Sequence, residues 1–179
     1  MRTLVLYTSA VGSTKKYAED IASSVNGDVF PLKKFKRKNI SSYDTVVYGG
    51  WVMGSKIQGI DDFLSHYEEM EKKNVLIFSC GMGFVSPEAR DNLITTNVLD
   101  IYHVRFYQLR GSFDYSKLHF PYNLLINTSM KAMKNDPDTA AQLGVIEELK
   151  KHPLEFYDQQ GIDKIIGVLH RLSAVEATK

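Results

Sequence analysis

The chain has 179 residues, 44% hydrophobic and 24% charged, with a net charge of +1 and a single cysteine. That is length and apolar content for one domain with a proper core, and it excludes a disordered chain. It also excludes an internal disulfide, a thiolate metal cluster and the strongly basic balance of a general nucleic-acid binder.

Short apolar runs recur along the chain at residues 3–7, 28–32, 44–48, 74–79 and 104–109, the second being the weakest. Runs this short and continuous suit strands buried on both faces of a parallel sheet. Helical stripes separate them. Ala18, Ile21, Ala22 and Val25 follow the first run at helical spacing, and Ile60, Phe63, Leu64, Tyr67 and Met70 follow the third, with Asp61 and Asp62 at the positive helix start. Ser86-Pro87-Glu88 opens another helix, with Ser as cap and Pro in the first turn. Asp136-Pro137-Asp138 repeats that device, and Ile162, Ile165, Ile166, Leu169 and Leu172 form a last stripe. Strand–helix alternation predicts an open α/β sheet with right-handed crossovers. No apolar run approaches the ~18 residues that cross a bilayer. Met1 leads directly into the first strand rather than a secretory leader, so the expectation is one cytoplasmic domain over residues 1–179.

The first strand-to-helix turn carries Thr8, Ser9, Ala10, Val11, Gly12, Ser13 and Thr14. A helix start offers unpaired N–H groups and the positive end of the dipole, and here four hydroxyls join them. Without a lysine or a G-x-x-x-x-G-K-S/T pattern the turn does not suit a nucleoside triphosphate, and without G-x-G-x-x-G it is not a standard dinucleotide site. It suits a phosphate monoester held by neutral donors; the plainer alternative is a hydroxyl-rich helix cap. Residues 49–56 follow the third strand with Gly49, Gly50, Trp51, Val52, Met53 and Gly54, and residues 80–85 follow the fourth with Cys80, Gly81, Met82 and Gly83. Loops at the carboxyl ends of these strands converge at the switch point of a doubly wound sheet. Phosphate donors, glycines and the single Trp meeting there imply a phosphorylated planar cofactor.

Residues 7–14 resemble the phosphate loop of the flavodoxin family, whose members bind FMN. Residues 49–55, leading into 57–64, are similar to that family's flavin-flanking loop and the helix behind it. The resemblance implies a three-layer α/β sandwich with five parallel strands in the order 2-1-3-4-5. It implies a cofactor site built from Thr8, Ser9, Ala10, Val11, Gly12, Ser13 and Thr14 around the phosphate. Gly50, Trp51, Val52, Met53 and Gly54 would stand on one side of the isoalloxazine, and Cys80, Gly81, Met82 and Gly83 on the other.

Residues 109–115, then 122–134, Asp136, Asp138 and Thr139, resemble the quinone-dependent protoporphyrinogen dehydrogenases built on this fold, while Trp51 and Val52 are closer to ordinary flavodoxins. That branch carries a long insertion here, matched by a helical insertion at about 112–135, far longer than the ~2–6 residues an α/β connection needs. The resemblance implies an FMN-dependent oxidoreductase that passes electrons from a reduced substrate to a quinone, with Tyr115, Phe120 and Tyr122 as substrate or quinone contacts. The alternatives are a flavodoxin-type carrier serving redox partner proteins and a flavin-free domain that only binds a partner.

Tyr122, Leu125, Ile126, Ser129, Met130 and Met133 share one helical face, flanked by Lys117, Lys131 and Lys134, with Leu118, Phe120 and Leu124 adding apolar surface. This is either an interfacial element at the inner face of a membrane or a helix packed on the domain or on a second copy. Lys33, Lys34, Lys36, Arg37 and Lys38 form either a solvated loop or a contact for anionic headgroups. Lys56 is either a surface lysine or a cation at the flavin edge, and Cys80 either a small core residue or a flavin neighbour. His66, His103, His119, His152 and His170 lack metal-ligand spacing, so no metal is expected; His119 alone is a candidate proton donor.

Overall fold

A computed structural model describes residues 1–133 and 140–177. In chain order its main elements are β1 (Thr3–Thr8), α1 (Ser13–Ser24), β2 (Asp28–Pro31), β3 (Thr45–Met53), β4 (Lys56–Ile57), α2 (Ile60–Leu64) and β5 (Asn74–Gly81). They continue with α3 (Pro87–Thr96), β6 (Val104–Arg110), α4 (Tyr122–Met133), α5 (Ala140–Lys151) and α6 (Gln159–Ala177). Five strands pair in parallel in the order β2-β1-β3-β5-β6, and β4 turns back against β3. This is the expected order; β4 alone shifts the numbering.

Alternate strand residues face opposite sides of the sheet, and both sides are covered. Leu4, Leu6, Val46, Tyr48, Val75, Ile77 and Phe106 pack with Ile60, Phe63 and Leu93 of α2 and α3. Val5, Val47, Leu76, Phe78 and Leu109 pack on the other side with Tyr17, Ala18 and Ile21 of α1 and Ile162, Ile165 and Leu169 of α6. The two-sided burial explains why these strands read as continuous apolar runs. No helix among the described residues is long and apolar enough to cross a membrane.

Three elements differ from the expectation. Residues 49–53 are not a loop: β3 runs through both glycines to Met53, and the turn falls at Gly54 and Ser55. A Cβ on Gly49 would lie 2.1 Å from the Phe78 ring, so glycine is needed there for close packing rather than for a bend. The stripe from Ile60 to Met70 is a short helix followed by a 3₁₀ turn at Tyr67–Glu69. Ser65 Oγ donates back to the Asp62 carbonyl at 2.8 Å, a local bond that competes with continuation of the helix.

The excursion after β6 is also longer than residues 112–135. Phe113 and Leu154 exchange N–H···O bonds of 2.8 Å in an antiparallel bridge, and α4 and α5 lie on the chain between them. Lys134, Asp136, Pro137, Asp138 and Thr139 lie outside the described residues.

Candidate functional site

The turn between β1 and α1 is shaped by Gly12 and Ser9. Gly12 caps the helix at φ +104°, a left-handed conformation open to glycine, and its N–H donates to Ser9 Oγ at 3.1 Å. The first turn of α1 carries no acidic residue, so its N–H groups and dipole favour an anion. Thr14 is fully buried at this end of the helix; its Oγ1 makes no hydrogen bond of ordinary geometry among the described residues, and the Cys80 thiol is its weak polar neighbour. Thr8 is engaged differently: its Oγ1 lies 3.0 Å from the Tyr48 hydroxyl, which also donates to the Gln58 carbonyl.

A cleft of about 210 Å³ opens beside this turn. Ala10, Val11, Ser13 and Thr14 form one wall, Trp51, Val52, Met53 and Gly54 a second, and Cys80, Gly81 and Met82 a third. The three segments read from the sequence are therefore brought together. Gly83 lies just beyond, in an adjoining cavity with Gly54 and Gly81. Cys80 packs in the sheet core with Sγ 3.6 Å from Ser13 Oγ, and burial pushes its thiol up, with the Ser13 and Thr14 hydroxyls opposing.

The excursion roofs the cleft with Phe113, Leu118, Ile126, Ile146 and Leu149. Tyr122 meets the Trp51 ring edge to face at 4.6 Å. Of the residues expected to contact substrate, Tyr122 is thus at the cleft, whereas Tyr115 packs under Lys150 Nζ at 4.4 Å and Phe120 is 77% exposed. Ile146 and Leu149 carry no sequence signal that would place α5 in the roof.

Other charges settle away from the cleft. Lys56 Nζ pairs with Asp61 Oδ1 at 2.7 Å, so its charge is directed to a carboxylate rather than to a free cleft edge. Lys33, Lys34, Lys36 and Lys38 are exposed between β2 and β3. No cluster of His, Cys, Asp or Glu among the described residues is arranged to hold a metal ion.

Two side chains fix the walls. Asn97, just past α3, is buried and bonds three backbone groups: its Oδ1 accepts from Ile57 N at 2.9 Å, and its Nδ2 donates to the Ser55 and Leu93 carbonyls at 2.8 Å each. Its only sequence signal is an Asn at a helix end. Tyr17 of α1 donates to the Arg110 carbonyl at 2.6 Å and accepts from Asp158 N, tying the helix to both ends of the excursion. Burial pushes the Tyr17 phenol up to about 12. In the unfolded chain it titrates near ~10, so the native state holds this proton longer, and that contribution to stability is present below pH ~10 and lost as pH rises through ~12. Urea midpoints of Tyr17→Phe should be lower at neutral pH and fall less steeply above pH ~10 than those of the parent. Parallel curves would remove Tyr17 as the source of the alkaline slope.

No curated protein matches the sequence. Solved structures similar in fold include a flavodoxin from the domain Archaea, 19% identical over 62% of this chain and 83% of that one, with a TM-score of 0.48. Two-electron reduced Megasphaera elsdenii flavodoxin in solution is 19% identical over 60% and 84%, at 0.48. A flavoprotein in complex with FMN from Lactobacillus acidophilus NCFM is 18% identical over 61% and 91%, at 0.44. The sequence family described as a flavodoxin domain matches residues 4–140. Apart from Thr3, that span holds the six strands of the described residues and the turn from β1 into α1, and the chain belongs to the flavodoxin domain family.

Proposed function

We propose that this protein is an FMN-dependent oxidoreductase whose acceptor is an apolar, quinone-type molecule. The observation that carries the cofactor reading is the buried Thr14 hydroxyl, with only the weak Cys80 thiol beside it, at the positive end of α1 and the left-handed Gly12 turn. The N–H groups of Ser13 and Thr14, the Thr14 hydroxyl and the Ser9–Gly12 turn would hold the phosphate without a lysine. Trp51, Val52, Met53 and Gly54 would stand on one side of the ring and Cys80, Gly81 and Met82 on the other, with Gly83 beyond them in the adjoining cavity. Bound FMN supplies a ring that accepts and returns electrons one or two at a time.

The side chains decide what reaches that ring. Leu118, Ile126, Ile146 and Leu149 exclude water from the roof and favour an apolar reactant over a charged one. The net charge of +1 suits an enzyme better than a diffusible carrier, which is commonly acidic. Protoporphyrinogen is the donor suggested by the resemblance of residues 109–115 and 122–134. The exposed Phe120, Leu124 and Leu125 add an apolar outer surface suited to a lipid-dissolved acceptor.

The test begins with the visible spectrum of the purified protein and the mass of any released chromophore, then menadione turnover with the flavin reduced. Released FMN with saturable two-electron reduction of menadione is expected. FMN with two well-separated one-electron steps and no quinone turnover would instead make it a carrier for redox partner proteins. A colourless protein that takes up no FMN would overturn the cofactor reading.

A further inference from the structure

A second cavity, of about 340 Å³, lies between the ends of β5 and β6 and the side of α3. It shares Val52, Gly54, Gly81 and Met82 with the cofactor cleft, so the two are separated by a common wall. Strand register makes its floor. Ser79 on β5 pairs with Gln108 on β6, and both face the α3 side, two residues beyond Ile77 and Phe106 of that core.

Both floor residues carry a buried polar atom with no partner among the described residues: Ser79 Oγ, in a fully buried residue, and Gln108 Oε1. Unpaired buried groups of this kind are rare and call for a reason. The other end of the Gln108 amide is engaged, because Nε2 donates to the Phe84 carbonyl at 3.4 Å. Phe84 is 80% exposed above the cavity, with the Arg110 guanidinium 5.1 Å from its ring centroid. Asn92 on the α3 side donates to Ser55 Oγ and accepts from Thr96 Oγ1. The floor therefore presents one hydroxyl and one amide oxygen, side by side.

We propose that this cavity binds a planar ligand with a carboxamide-type edge, its N–H donating to Gln108 Oε1 and its C=O accepting from the Ser79 hydroxyl. A carboxylate would face the Gln108 oxygen without a proton to offer, and a simple ketone would leave that oxygen unpaired. The open space around Gly83 leaves room for a flat ring beside Phe84. The proposal rests on the FMN reading only in making such a ligand a neighbour of the flavin. The pyrimidine end of a flavin carries the same kind of edge, so occupancy has to be measured with and without FMN.

The probe is benzamide, which is redox-inert, titrated into ¹⁵N-labelled protein in FMN-free and FMN-loaded forms. Saturable shifts at Ser79, Gln108 and Phe84 are expected in both forms, weakened about tenfold or more in Ser79→Ala, with FMN affinity by fluorescence quenching unchanged. Gln108→Leu should weaken benzamide in the same way. Absence of saturable shifts, or equal affinity in Ser79→Ala, would overturn the site. Shifts that vanish when FMN is loaded would assign the cavity to the flavin's own edge and also overturn it. If the protein takes up no FMN yet binds benzamide through Ser79, the cavity stands and the functional reading fails.

Discussion

Thr14→Val should make the FMN-free protein more stable and weaken FMN binding by about tenfold to a hundredfold. Valine matches threonine in shape and β-branching, so α1 keeps its packing, and only the hydroxyl is lost. In the free protein that hydroxyl is buried with only the weak Cys80 thiol beside it, and a poorly satisfied group of this kind costs up to about 1–3 kcal/mol. Removing it relieves the penalty. In the loaded protein the same hydroxyl would donate to a phosphate oxygen, and a bond to a charged group contributes about 1.5–3 kcal/mol, which sets the expected loss of affinity. Thermal unfolding without FMN and a flavin-fluorescence titration read the two effects separately. Ser9→Ala is the contrasting variant: Ser9 Oγ already accepts from Gly12 N, so its loss should loosen the turn and lower stability and affinity together. A valine variant that is less stable yet binds FMN as before would place the phosphate elsewhere.

The hydroxyl turn was legible because its signal is local: four Ser or Thr and one Gly between a strand and a helix. The Ser86 cap was legible for the same reason, and its side chain accepts from Ala89 N at 3.1 Å as its position implied. What escaped was non-local. Gly49 and Gly50 read as a turn, yet both lie in the central strand, where a Cβ would strike Phe78 in one case and Ile57 in the other. Glycine chosen for close approach and glycine chosen for a bend look alike in sequence. Length and the family resemblance mark an excursion only at about 112–135. Its closure depends on Phe113 meeting Leu154 across the whole of α4 and α5, which periodicity within either helix does not encode. Lys56 reads either as a surface lysine or as a flavin-edge cation, and only the fold shows its partner Asp61 across the turn into α2.

Asn97→Ala should cost about 3–5 kcal/mol, a large share of the 5–15 kcal/mol that holds a domain of this size. One side chain here completes Ile57 N, the Ser55 carbonyl and the Leu93 carbonyl, and it is 2% exposed, so water cannot replace it without opening the packing. Alanine leaves the Ile57 N–H buried and unpaired and strips the half-buried Ser55 carbonyl of its donor. The hairpin between β3 and β4 bears Val52, Met53 and Gly54, so FMN affinity should fall with stability if that hairpin flanks the flavin. Asn97→Asp keeps the acceptor toward Ile57 N but turns a carboxylate oxygen toward two carbonyls. Burial and those carbonyls favour its protonated form, so its folded pKa is raised and stability should be regained as pH falls, the reverse of a paired carboxylate. Urea unfolding at two pH values distinguishes the variants. A loss below ~1 kcal/mol in Asn97→Ala would show that the Tyr48–Gln58 and Lys56–Asp61 contacts hold the hairpin unaided, and that Asn97 does not set the wall of the cleft.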